Sequence, residues 1–76
     1  MSTADFRASV AELRGYMSSR TYWMTTTIEQ RDSAKKALVL SYLQTGDPDD
    51  AVALDACLRE HDWREEAMRE ASRLHA

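Results

Sequence analysis

The chain has one cysteine (Cys57), one proline (Pro48) and two glycines (Gly15 and Gly46) among its 76 residues. A single thiol excludes an intrachain disulfide. It also excludes the zinc sites built on paired cysteines. Two isolated glycines cannot form a phosphate-cradling loop. No apolar run approaches the ~18 residues that a membrane-spanning helix needs. The opening MSTADFRASV lacks the basic and apolar regions of a signal peptide. These absences lead us to expect a cytoplasmic protein with a reduced thiol.

What is present favours helix. Alanine, leucine, arginine, glutamate and methionine are abundant. A chain of this length is one domain, residues 1–76. So short a chain buries only roughly 60% of its unfolded surface and is marginally stable alone. With disulfides and metals excluded, self-association or a partner protein is the remaining support, so a homo-oligomer, at least a dimer, is expected.

The expected fold is all-α: a C-terminal helical hairpin with an N-terminal helix packed on it. The helices are expected at about 4–20, 27–45 and 48–74. Phe6, Val10, Leu13 and Met17 recur at helical spacing and form the stripe of the first, with Ser2 and Asp5 at capping-box spacing. Thr27 with Gln30, or Thr26 with Glu29, opens the second. Met24, Ile28, Leu38 and Tyr42 continue the phase of the first stripe, so one long helix over 4–44 is the alternative. Arg31 and Lys35 interrupt that stripe. The clearest boundary is Gly46-Asp47-Pro48: a left-handed C-terminal glycine, an N-cap and a proline at the first helical position. In the last helix, Val52, Ala56, Trp63, Ala67, Ala71 and Leu74 share one face, expected to be core. Ala51, Leu54 and Leu58 make its first half apolar on a second side, and Leu54 and Leu58 are assigned to the oligomer interface.

Charge is uneven. Residues 1–46 carry six bases and four acids, and residues 47–76 carry nine acids and four arginines. The halves are set to attract each other within or between chains, although solvated helix faces would read the same way.

Chemical signatures are sparse. Cys57, His61 and Glu65 recur every four residues along one helix face. A metal would need further ligands from elsewhere, and the other histidine, His75, is at the chain end. The expectation is therefore no metal and no cofactor, with a buried thiol beside a surface histidine. No serine sits in a nucleophile motif, so no enzyme is expected. The helix after the only clear turn begins Asp47-Pro48-Asp49-Asp50, which repels phosphate, and the net charge is −3. Nucleic-acid binding is disfavoured.

Tyr16, Arg20 and Trp23 are spaced to lie along one flank of a continuous helix. These residue types are enriched in protein-binding hot spots. They are assigned as the partner-binding site, the competing reading being that Trp23 plugs the end of the bundle. The expected function is a non-catalytic protein–protein interaction module. It would be a regulator or inhibitor occluding a larger protein, of a size and charge typical of small bacterial, phage or mobile-element proteins. The alternative is a self-associating structural or assembly subunit.

Overall fold

A computed structural model describes residues 3–74 and is all-helical among them. Helix α1 spans Thr3–Met17, α2 Arg20–Thr25, α3 Ile28–Thr45 and α4 Ala51–Leu74, and a single 3₁₀ turn, Pro48–Asp50, leads straight into α4. Ser2 and His75, named above as a cap and a possible ligand, lie outside the described residues.

The break expected near residues 20–27 resolves into two breaks around a short helix. Ser19 is extended, at φ −98° and ψ 123°, and separates α1 from α2. Thr26 and Thr27 are extended as well. Threonine hydroxyls offer the backbone an alternative to helix continuation. Here Thr25 and Thr26 donate theirs to the carbonyls of Thr21 and Tyr22. Thr27 and Gln30 form the reciprocal capping box that opens α3. A single helix over 4–44 is thereby excluded.

At the other end of α3, Gly46 has φ 62°, and its N–H donates to the Tyr42 carbonyl. A side chain added there would meet no neighbour, so the demand for glycine is purely conformational. Asp47 caps the next turn by accepting from the Asp49 N–H at 3.0 Å. The chain reverses over these few residues, and α4 returns alongside α3.

Helix α1 packs against both α3 and α4. Its stripe of Phe6, Val10, Leu13 and Met17 is buried together with Leu38 of α3 and Cys57 of α4. Tyr22, Trp23, Tyr42, Leu54 and Leu58 pack around that core. The stripe does not extend through Met24 and Ile28, which are exposed, because the breaks rotate the chain out of phase. The molecule measures 43 × 19 × 18 Å. No helix among the described residues is long and apolar enough to cross a membrane.

The charge asymmetry is used within the chain. Four of the six bases in residues 1–46 pair with acids of the second half: Arg7 with Asp50, Arg14 with Glu60, Arg31 with Glu65 and Lys35 with Asp62. The first pair ties α1 to the turn before α4, and the others hold α1 and α3, which also pack on each other, along the two flanks of the inner face of α4.

Candidate functional site

The face of α4 that looks inward is not the one its apolar spacing selects. Cys57, His61 and Glu65 are its buried residues. The expected core residues Val52, Ala56, Trp63, Ala67, Ala71 and Leu74 are all exposed, Trp63 at 70% and Val52 at 76%. At about 100° per residue, Val52 and Trp63 lie roughly opposite His61 on the helix. Polar residues on the inner face mislead a reading based on hydrophobicity, because they are buried through their partners rather than through their apolarity.

Those partners form a closed cluster at the end of the bundle beside α2. His61 is wholly buried, not at the surface as expected. The Tyr22 hydroxyl lies 3.0 Å from its Nε2, and the Trp23 ring is centred 4.9 Å from the imidazole. If Nε2 accepts from that hydroxyl, the neutral ring carries its proton on Nδ1; the opposite tautomer donates from Nε2 to the Tyr22 oxygen. Nδ1 has no hydrogen-bond partner and lies 3.9 Å from Glu65 Oε2. Burial is the main cause that pushes the His61 pKa below its usual 6.5, and the Lys35 charge adds to it.

Glu65 is held by Arg31, whose Nε and Nη2 donate to Oε1 at 3.2 and 3.1 Å. The same guanidinium donates through Nη1 to the Thr26 carbonyl at 2.6 Å and sits 5.4 Å from the centre of the Trp23 ring. One arginine therefore joins the α2–α3 break, the Trp23 plug and the inner face of α4. Trp23 itself is half-buried, with its indole N–H donating to the Met17 carbonyl at 3.0 Å.

His61, Asp62 and Glu65 bring potential ligand atoms within 4.8 Å of one another. The arrangement does not fit a cation. Arg31 already neutralises Glu65, and Lys35 Nζ lies 2.7 Å from Asp62 Oδ1. Nor is it open to substrate, since His61 has no exposed surface. The Cys57 thiol is pushed up by burial, which holds it in its unreactive protonated form.

The three residues assigned to partner binding do not share a flank. The break at Ser18 and Ser19 separates Tyr16, on α1, from Arg20 and Trp23, on α2. Tyr16 stacks on Tyr22, with ring centres 5.8 Å apart, and donates to Glu12. Trp23 is the end plug. Arg20 and Trp23 do line one groove of about 600 Å³ with Met24, Met68, Arg69 and Ser72. Arg20 makes no ion pair among the described residues. Leu54 and Leu58, assigned to an oligomer interface, are half-buried against the chain's own core. Leu58 also borders an apolar groove with Val39 and Leu40 between α3 and α4.

The sequence reading missed Tyr22, Arg31 and the burial of His61. One signal was available: Arg31 and Lys35 break the apolar stripe of α3 four residues apart, which puts both bases on the side that faces α4.

Comparison with known proteins yields no matching family model, no matching curated protein and no matching solved structure.

Proposed function

We propose that this chain is a small non-catalytic protein–protein interaction module, a regulatory or inhibitory protein that acts in the cytoplasm by binding and occluding a larger protein. The observation that carries the reading is the groove between α2 and the C-terminal half of α4. Arg20 lines it without an ion pair among the described residues, beside the half-buried Trp23 and the exposed Met24, while Glu65 in the same lining is engaged by Arg31. A planar cation next to an aromatic face and flexible thioethers suits an acidic, apolar segment of a target. The buried cluster beneath supports the groove by fixing Trp23 and Arg31, without taking part in chemistry.

The test is capture of partners from the source cytosol by the full chain and by Arg20→Glu/Met24→Asp. Both side chains are exposed, so the variant is expected to keep its helical signal and lose a stable heterologous partner. Undiminished capture would overturn the assignment. A second reading, a self-associating structural or assembly subunit, is favoured by a different observation, the exposed apolar face of α4.

A further inference from the structure

The outer face of α4 is a continuous stripe. Val52, Ala56, Arg59, Trp63, Glu66, Ala67, Glu70 and Leu74 fall within an arc of roughly 100° at helical spacing, and every one is exposed. Five are apolar, and Trp63 at 70% exposed is the largest of them. Neither α1 nor α3 covers this arc. The ion pair of Arg14 with Glu60 places α1 on one side of it, and that of Lys35 with Asp62 places α3 on the other. The helix therefore carries two packing faces and uses one.

The charges along the stripe say what fits the second. Asp55 and Arg59 precede Trp63, and Glu66, Glu70 and Arg73 follow it. If a second α4 is laid antiparallel with Trp63 opposite Trp63, Val52 faces Leu74 of the other copy. Arg59 then faces Glu66 and Glu70, and Asp55 faces Arg73. In an antiparallel pair related by a two-fold axis, each flank of one helix meets the same flank of the other, so these charges are neighbours across the junction. A parallel pair about a two-fold axis along the helices brings each flank against the opposite one, so Arg59 and Glu66 would meet the flank of Ala56 and Ala67 and lose this pairing. The only intrachain ion pair of Arg59 is an exposed one with Asp55 at 2.9 Å, and Glu66 makes none among the described residues. Both are free to re-pair.

We propose that the outer face of α4 docks a second copy of this chain, the two α4 helices running antiparallel about a two-fold axis at Trp63. The interface is isologous and closes as a dimer. It rests on the self-association reading; Trp63 and Ala67 share a hollow with Arg20 and Trp23, so the two surfaces adjoin, and Met24, which does not line that hollow, tells them apart.

Sedimentation equilibrium of the full chain tests the docking, and charge exchange tests its direction. The wild type is expected to reach twice the 8.7 kDa chain mass as concentration rises. Trp63→Ala is expected to weaken association at least about 30-fold, a typical hot-spot loss, with helical signal unchanged. Arg59→Glu and Glu66→Arg each place like charges across the axis and weaken the dimer. The double variant recovers part of the loss, because positions 59 and 66 again face opposites while Glu70 stays opposite position 59. A mass that stays at one chain up to about 1 mM overturns the proposal. So does a dimer that Trp63→Ala leaves intact. A dimer that both single charge variants weaken and that the double variant leaves no stronger than Arg59→Glu alone overturns the antiparallel register. Retention of a heterologous partner by Trp63→Ala, alongside loss of the dimer, separates this face from the groove.

Discussion

The two long faces of α4 differ in the reverse of the usual amphipathic sense. The inner face is held by Cys57, His61 and Glu65, of which only the thiol packs as an apolar group. The outer face carries Val52, Trp63 and Leu74. The contrast separates two ways of burying a residue. An apolar side chain is buried wherever surface meets surface, whereas a carboxylate or an imidazole is buried only where a specific partner awaits it. Glu65 is inside because Arg31 is opposite, and His61 is inside because Tyr22 and Trp23 enclose it. Directional bonds of this kind fix the rotation of α4 against α1 and α3, while an apolar stripe tolerates neighbouring rotations. The opposite face, freed from that duty, is available to another chain.

The sharpest way to break the contrast is to remove the counter-charge. Arg31→Ala strands Glu65 in the interior and is expected to destabilise by about 3–5 kcal/mol, enough to unfold much of so small a domain at room temperature. Arg31→Met with Glu65→Leu replaces the pair by apolar groups and is expected to recover most of that loss. Chemical denaturation followed by circular dichroism measures both. If the double variant is no better than the single one, the pair is not what anchors the inner face.

A smaller effect comes from the two tryptophans, which mark the two environments. Trp23→Ala removes the half-buried plug and is expected to cost about 2–4 kcal/mol. Trp63→Ala, measured at a concentration where the chain is monomeric, is expected to stay within about 0.5 kcal/mol of the parent. Equal losses would erase the distinction between the faces.

The smallest effect is a pH dependence. The folded pKa of His61 is below its unfolded value, chiefly through burial and then through Lys35. The ring is also faced by Tyr22 from α2, by Arg31 and Lys35 from α3, and by Asp62 and Glu65 from α4. The unfolded chain therefore binds the proton more readily, and stability falls as pH is lowered. The contribution is complete above about pH 6.5, the unfolded value, and is lost as pH drops through the folded one. Melting midpoints between neutral and mildly acidic pH should fall more steeply for the parent than for His61→Gln. Parallel slopes would show that His61 does not titrate differently on folding.

Much of the backbone is legible from local chemistry. The Thr27–Gln30 box, the Gly46-Asp47-Pro48 reversal and the α1 stripe are set by residues within a few positions of each other, so spacing alone finds them. The second break, at Ser18 and Ser19, was less legible, since serines are tolerated in helices and the apolar phase runs through. That break separates Tyr16 from Arg20 and Trp23, and with it goes the aligned flank that spacing suggested. Trp63 is exposed where its stripe suggested core, and Trp23 is the half-buried plug of the competing reading, for one reason: periodicity reports that a helix has an apolar face, not which neighbours arrive to cover it.

By itself the sequence determined that the chain is helical, where its hairpin turns and which side of α1 is core, because each depends on contacts a few residues apart. Only the tertiary structure decided which side of α4 looks inward. Arg31 and Glu65 are 34 positions apart, as Tyr22 and His61 are 39, and neither pair is a pair until the helices meet. A buried charge is stabilised by a partner's position in space, and hydrophobic spacing carries no record of that position.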